Sequence, residues 1–322
     1  MKTAKTLWFA MLFALVATGA VRAQDDYPSK PIRLVVPVPA GSTLDVRMRH
    51  FTQAVTQHLG WQLVIDNKPG AGQSIGMAFV AKAAPDGYTL LIVNNNITLN
   101  PYLQSNPGYD PFKSFAPITN TIQAPLVLVV NPDTGIRSVK ELVALANSKP
   151  GGLAYAHSGL GSTPYITAEL LKQVTGIKAL EIPFKGDSEW LPQLMAGRVD
   201  FGFSGPLTAA PLAQSGKVRA LAVTTRKRAH SLPDVPSIAE TFPAYDYPTY
   251  VGIVAPAGTP KPIIDKLSAG FRRIVLMPDF QERMRATGAE PIGSTPEEFA
   301  ALLRADHKLA GELVKALGLK PE

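Results

Sequence analysis

Cysteine is absent from all 322 residues. No disulfide framework can staple this chain in an oxidising compartment, and no lipid-modified cysteine can tether it to a membrane. A long apolar run is missing as well. Leu7 to Ala17 is apolar, but Thr18, Gly19 and Arg22 break the stretch short of the ~20 residues that a membrane-spanning helix needs. Lys2 and Lys5 before this run, and Val21-Arg22-Ala23 after it, complete the pattern of a cleavable secretory signal peptide, with the cut expected near Ala23. The protein is therefore expected outside the cytoplasm, soluble after cleavage and held together by its cores alone.

A strong charge of one sign is also lacking. Removing residues 1–23 takes Lys2, Lys5 and Arg22 away, so the net charge of +7 falls to +4, with 29 basic residues left against 25 acidic ones. The only basic cluster, Arg226-Lys227-Arg228, has no aromatic neighbour on which a base could stack, and it reads as a solvated loop. No nucleic-acid partner is expected. Catalytic signatures are missing too. Gly70-Ala71-Gly72-Gln73-Ser74-Ile75-Gly76 departs from GxGxxG by one residue and has no acidic residue about 20 positions on, so it reads as a packing turn. There is no P-loop and no HExxH pair, and Gly202-Phe203-Ser204-Gly205 has the wrong spacing for a GxSxG elbow. No cofactor, metal ion or catalytic residue is expected.

What is present is an alternation of short β-branched runs with segments of helical period, which implies βαβ units and mostly parallel sheets. Ile32 to Val36 reads as a strand. Leu44, Met48, Phe51, Val55 and Leu59 then share one face of a helix that ends at Gly60. A strand over 62–66, a helix over 74–84 and a strand over 88–93 complete a first wound unit. Residues 94–114 lose this periodicity and mark a crossover to a second lobe. There the pattern restarts with strands at 126–131, 153–156, 179–183, 199–203 and 218–224, interleaved with helices at 138–148, 164–175 and 188–196. The Pro-rich passage 232–248 marks the return, followed by a strand at 251–254 and helices opening at Pro260, Pro278 and Pro296. The expected fold is α/β with two hinged lobes of periplasmic-binding-protein type, each a wound, mostly parallel sheet with flanking helices. The expected boundaries are 1–23 for the signal peptide, 24–105 with 230–322 for the first lobe, and 106–229 for the second.

Three strand-to-helix turns carry glycine and hydroxyl residues: Pro39-Ala40-Gly41-Ser42-Thr43, His157 to Thr163, and Phe184-Lys185-Gly186-Asp187-Ser188. Glycine lets a ligand approach the backbone, and the unpaired N–H groups of a first helical turn favour carboxylate or phosphate. Taken singly, Ser162 and Thr163 read better as helix caps, with the glycines making the turn. Three such turns at strand C-terminal ends in two lobes point to a binding crevice.

Seven segments carry a family resemblance: Tyr27-Pro28-Ser29-Lys30-Pro31-Ile32-Arg33, Asn67-Lys68-Pro69-Gly70-Ala71-Gly72, Pro85-Asp86-Gly87-Tyr88-Thr89-Leu90-Leu91, Tyr109-Asp110-Pro111, Arg219-Ala220-Leu221-Ala222-Val223-Thr224, Leu232-Pro233-Asp234-Val235-Pro236-Ser237 and Ala255-Pro256-Ala257-Gly258-Thr259-Pro260. In these the chain resembles the Bug family, the periplasmic solute receptors of tripartite tricarboxylate transport systems. The resemblance implies a small carboxylate held between the lobes and delivered to membrane permease subunits, by a receptor expected to act as a monomer. By position it implies ligand loops at Val38, Ala40, Gly41, Ser42 and Thr43; at Asn94, Asn95 and Asn96; at His157, Ser158, Gly161, Ser162 and Thr163; and at Lys185, Gly186 and Asp187, with Ser204 nearby.

Departures from the family pattern fall inside those loops. Val38 and Gly41-Ser42 stand where Phe and Gly-Gly are common, His157 where serine is usual, Tyr165 where histidine is usual, Phe184 where Tyr is frequent, and Ser204 where an acidic residue often sits. The loss of an acid suits a ligand without an α-amino group, dicarboxylic or aromatic. Two alternatives stay open on sequence grounds. One is an exported enzyme using His157, Lys185 and Asp187 as acid–base groups. The other is a ligand-presenting partner of a membrane sensor.

Overall fold

Strand β1 (Ile32–Val36) buries Ile32, Leu34, Val35 and Val36 and exposes only Arg33, the pattern of a central strand covered by helices on both faces. It belongs to a computed structural model that describes residues 27–159, 162–316, 318–319 and 321; the signal-peptide expectation for residues 1–23 and the site candidate Gly161 lie outside the described residues. Helix α1 (Thr43–Leu59) follows. Ser42 caps it by accepting the Asp45 N–H at 3.4 Å, and Gly60 closes it by donating to the Thr56 carbonyl at 3.1 Å. Met48, Phe51 and Val55 form its buried stripe. Strands β2 (Leu63–Asn67) and β3 (Thr89–Val93) flank β1 in parallel, with α2 (Ser74–Ala81) between them.

Two elements interrupt the expected 94–114 crossover region and its sequel. Helix α3 (Asn96–Leu103) carries Pro101 inside it and has no apolar period; it is fixed instead by Asn100, whose Nδ2 donates to the Gly72 carbonyl at 2.8 Å and to Ser74 Oγ at 2.9 Å. Strand β4 (Phe115–Ala124) buries the polar run Thr119-Asn120-Thr121. Its hydroxyls are satisfied, Thr119 by the Ser294 carbonyl at 2.8 Å and Thr121 by the Val251 carbonyl at 2.7 Å. A strand of this kind has no apolar signature to read.

Six strands form the first sheet, in the order β11-β4-β10-β3-β1-β2, with β10 at Thr249–Pro256 and β11 at Glu290–Pro291. The second sheet comprises β5 (Val127–Val130), β6 (Leu153–His157), β7 (Ala179–Pro183), β8 (Phe201–Ser204) and β9 (Arg219–Val223), in the order β7-β6-β8-β5-β9. The chain therefore changes sheet at 125–126, beyond the boundary expected at 105/106. It returns just before β10, since Ile238, Tyr245 and Tyr247 still pack into the second core. The sheets are less parallel than expected. Only the β1-β2, β1-β3, β6-β7 and β6-β8 pairs are parallel, because β10 and β5 enter from the hinge and run against their neighbours.

Helices cover both faces of each sheet. In the first lobe α1 packs with α8 (Lys261–Val275) and α9 (Pro278–Ala286) on one side, and α2 with the start of α10 (Pro296–Ala316) on the other. In the second, α4 (Val139–Ser148) and α5 (Thr163–Thr175) cover one face, and α6 (Asp187–Met195) with α7 (Pro206–Gln214) the other. No described helix is long and apolar enough to cross a membrane.

Candidate functional site

Strand pairing brings the candidate turns to one place. Gly252 of β10 pairs with Val93 of β3 in antiparallel register, so Thr249 and the crossing before it lie past the C-terminal end of β3. Val127, the first residue of β5, pairs with Ser204, the last of β8. Both crossings thus join the C-terminal edges of the two sheets. The turns after β1 and β3 and those after β6, β7 and β8 therefore lie at the two sheet edges that the crossings join, the edges at which open α/β sheets form crevices.

The first turn is organised by Asp45, which the sequence left without a role. Its buried carboxylate accepts from the Gly41 N–H at 2.9 Å, from Arg49 Nε at 2.8 Å and from Asn67 Nδ2 at 2.9 Å. Burial works to raise the Asp45 carboxyl, but Arg49, the Gly41 amide and Asn67 outweigh it and hold it below the usual carboxylate range. Asn67 Nδ2 also binds the Val38 carbonyl at 3.0 Å, so both ends of the turn are pinned. The Gly41 amide is consequently spent. Ala40 and Thr43 are exposed, and the Thr43 and Leu44 amides, at the first two helical positions, are the ones α1 itself cannot use.

The three asparagines divide. Asn94 Oδ1 accepts the Asn96 N–H at 3.0 Å and caps α3, and Asn96 Nδ2 reaches the Gly72 carbonyl at 3.1 Å. Asn95 is buried and turned toward the hinge. Its Oδ1 accepts from the Tyr250 N–H at 3.3 Å, while its Nδ2 donates to Pro248 O at 3.4 Å and Asp306 Oδ1 at 3.1 Å. Asn95 is therefore a hinge residue by its contacts.

In the second lobe, Ser162 caps α5 by accepting the Tyr165 N–H at 3.4 Å, with Thr163 next to it and Ser158 part-exposed in the turn. His157 is 1% exposed, and neither of its ring nitrogens meets a partner among the described residues. Its ring centroid lies 5.0 Å from that of Tyr165. Asp187, the first residue of α6, accepts from Trp190 Nε1 at 2.9 Å and from the Ser204 hydroxyl at 2.5 Å, which ties the third turn to the end of β8. Gly186 precedes it. Lys185 is exposed, and its side chain has no partner among the described residues. Asp187 is engaged with Trp190 and Ser204, and among the described residues no hydrogen bond joins it to His157 or Lys185.

One further residue was not legible from the turns. Arg47 on α1 donates from Nη2 to the Thr287 carbonyl at 2.7 Å and from Nε to Thr287 Oγ1 at 3.2 Å, and has no acidic partner among the described residues. Burial draws its guanidinium down to about 10. The Arg226-Lys227-Arg228 cluster is by contrast the solvated loop expected, with exposed ion pairs from Arg226 to Asp246 and from Arg228 to Glu240.

Two α/β lobes, with the turns into α1, α5 and α6 at the sheet edges that the crossings join, are also the architecture of known proteins. The model of the tripartite tricarboxylate transporter family receptor matches residues 47–319. The chain belongs to that family. The receptor is 33% identical over 295 residues to a UPF0065 protein from the tcbD-tcbE intergenic region of Pseudomonas sp. strain P51, covering 90% of this chain and 88% of that protein. Protein BugT of Bordetella pertussis is 30% identical over 321 residues, 98% of both chains. The solved structure of periplasmic binding protein BugD superposes with a TM-score of 0.76 at 33% identity, covering 92% of this chain and 100% of that one. Rpa4515 of R. palustris, solved with adipate, gives 0.79 at 32% identity over 92% and 100%. The receptor is thus an extracytoplasmic solute-binding protein of the two-lobed periplasmic type. PhnD1 of Prochlorococcus marinus, at 13% identity and a TM-score of 0.54, shares the fold alone.

Proposed function

We propose that this receptor closes its two lobes on a small carboxylate and presents it to the membrane permease subunits of a tripartite tricarboxylate transporter. It works as a monomer in the periplasm once residues 1–23 have been removed, and it does no chemistry on its ligand. The observation behind this reading is that the turns opening α1, α5 and α6 lie at the C-terminal edges of the two sheets, beside the crossings that join them. A helix N-terminus is worth only about 0.3–1 kcal/mol at an exposed site, whereas micromolar affinity requires about −8 kcal/mol. Several amides, supplied from both lobes and drawn away from water together, are needed, so binding and closure are one event. Rpa4515 with adipate, and MatC of Rhodopseudomonas palustris with bound malate, support a carboxylate as the class of ligand.

The test is calorimetric titration of the purified protein with aliphatic dicarboxylates, aromatic carboxylates, aspartate and glutamate, followed by recovery of the ligand. One-to-one binding of an acid that is returned unchanged, with a smaller scattering radius in the complex, is the expected result. Turnover of the ligand would sink the reading; tight binding confined to aspartate and glutamate would keep a carboxylate receptor but overturn the expectation of a ligand without an α-amino group.

A further inference from the structure

The Arg226-Lys227-Arg228 cluster has no part in the carboxylate site, yet it lines a cavity of about 920 Å³. The walls of this recess come from both lobes. On one side is the segment from Thr225 to His230, which follows β9; on the other are Arg285, Glu290, Ile292 and Leu302 of the first lobe. Ala124, Pro125 and Pro248, at the two crossings, lie between them. None of the lining residues belongs to the turns after β1, β3, β6, β7 or β8, so the recess is distinct from the proposed ligand site.

Its chemistry has two parts. Ala124, Pro125, Pro248, Ile292 and Leu302 are apolar, and Ile292 stays 36% exposed, a large aliphatic side chain left in water. Around them the charges are unequal, four Arg or Lys side chains against the two acids Asp246 and Glu290. Arg226 is matched by Asp246 at 3.2 Å, Arg285 by Glu290 at 3.4 Å, and Arg228 by Glu240 at 2.8 Å. Lys227 is exposed, and its ammonium has no partner among the described residues. A partner that fits must bring an acidic group to Lys227 and apolar side chains to the exposed aliphatic surface. An extended chain can enter a recess between two lobes, whereas the flat surface of a bilayer cannot follow it.

We propose that this recess is the surface on which the membrane permease subunits dock, and that it takes from them an extended segment of acidic and aliphatic residues. The inference rests on the receptor reading given above and adds to it the place of contact. Because the walls belong to different lobes, the width of the recess follows the angle between the lobes. The segment therefore binds the ligand-free and the ligand-loaded receptor unequally. By linkage, docking changes carboxylate affinity by the same factor as the carboxylate changes docking.

The experiment measures binding of the receptor to purified permease subunits in nanodiscs, with and without a saturating carboxylate. It compares the unaltered protein with Lys227→Glu, Ile292→Glu and, on the exposed face of α4, Lys140→Glu. The two recess variants should lose about tenfold or more in permease affinity, while Lys140→Glu stays within about twofold. Carboxylate affinity without permease should be unchanged in all three. A hexapeptide alternating glutamate and leucine should displace the receptor from the nanodiscs, and its lysine-leucine counterpart should not. Permease affinity retained by Lys227→Glu overturns the proposal, and if Ile292→Glu does not fold, Lys227→Glu decides alone. Permease affinity that is the same with and without carboxylate also overturns it, as does displacement by both peptides or by neither. Equal binding to empty phosphatidylglycerol nanodiscs, lost in Lys227→Glu, would assign the surface to lipid and overturn it as well. If a carboxylate binds but the permease does not, the docking surface falls and carboxylate binding stands; if no carboxylate binds, the receptor reading falls with it.

Discussion

Replacing Asp306 by alanine should destabilise the receptor by about 2–4 kcal/mol. The Asp306 carboxylate on α10 accepts from the Tyr250 hydroxyl at 2.9 Å, from Asn95 Nδ2 at 3.1 Å and from the Thr98 hydroxyl. Truncation does not strand all three donors. Thr98 Oγ1 keeps the Asn95 carbonyl at 2.9 Å, and Asn95 Nδ2 keeps a 3.4 Å contact to Pro248 O. The Tyr250 hydroxyl loses its acceptor, and one hydrogen of the Asn95 amide loses its partner, in residues only 1% and 3% exposed. Each buried donor left unmet costs about 1–3 kcal/mol, and two in one network do not add fully.

Asp306→Asn separates shape from charge. Burial raises the Asp306 carboxyl above its usual range, although Thr98, Tyr250, Asn95 and His307 pull the other way. The folded protein therefore holds this proton more tightly than the unfolded chain does. Its contribution is fully present below the ordinary value of 3.8 and is lost as the pH rises through the raised folded value. Urea unfolding at pH values rising from about 4 should show the unaltered protein losing stability relative to Asp306→Asn as the carboxyl loses its proton, and running parallel to it once that loss is complete. An Asp306→Ala variant within about 0.5 kcal/mol of the unaltered protein at neutral pH would refute the network argument, and identical pH profiles for Asp306→Asn and the unaltered protein would refute the raised carboxyl.

Three further outcomes are expected. His157→Phe removes two buried, unpartnered nitrogens and keeps a ring against Tyr165, so the melting temperature should rise, by the equivalent of about 1 kcal/mol, while carboxylate affinity falls at least tenfold; a variant that binds as well as the unaltered protein removes His157 from the site. Gly288→Val places side-chain atoms where Pro206 already stands, at a residue with φ of 71°, and should weaken ligand binding and keep the scattering radius of the ligand-saturated protein at its open value; unimpaired closure would show that the lobes do not meet there. Asp45→Asn removes a carboxyl held below the usual range, whose stabilisation is present above 3.8 and lost as the pH falls through the depressed value. The variant should lose about 1–2 kcal/mol at neutral pH and less in acid, measured by urea midpoints; an equal loss at both would deny the ion pair its part.

The elements that could be read from the chain are those whose determinants are local. The stripe of α1, its Ser42 and Gly60 caps, and the helices opening at Pro278 and Pro296 need only neighbours in sequence. Strand β4 escaped because its buried Thr119 and Thr121 are satisfied by carbonyls 175 and 130 residues away. Helix α3 escaped because Pro101 and its asparagines argue against a helix until Gly72 and Ser74 supply bonds from elsewhere in the fold. The site divides in the same way. Its glycine and hydroxyl turns are local and could be proposed from the chain. The contact of Arg47 with Thr287 could not, since Thr287 lies 240 residues along the chain. Asn95, expected in a ligand loop, is bonded instead to Pro248 and Asp306.

That displacement bears on how the hinge works. Two strand connections join the lobes, but α10 makes a third link. Its Phe299 and Leu303 pack in the first lobe, and its Ala310, Leu313 and Val314 in the cluster built around the second sheet. Rotation of one lobe against the other must therefore be accommodated along this helix. Asp306 lies at the changeover between the two apolar stretches, and it is there that the helix is bonded to α3 through Thr98 and Asn95 and, through Tyr250, to the first strand after the return crossing. Apolar contacts slide with little directional penalty, whereas hydrogen bonds to a carboxylate fix distance and angle. The bonds from Asp306 to Asn95, Thr98 and Tyr250 thus anchor α10 to the first lobe at that changeover. Because Asn95 sits between Asn94 and Asn96, the same bonds hold the start of α3 against β10 and α10.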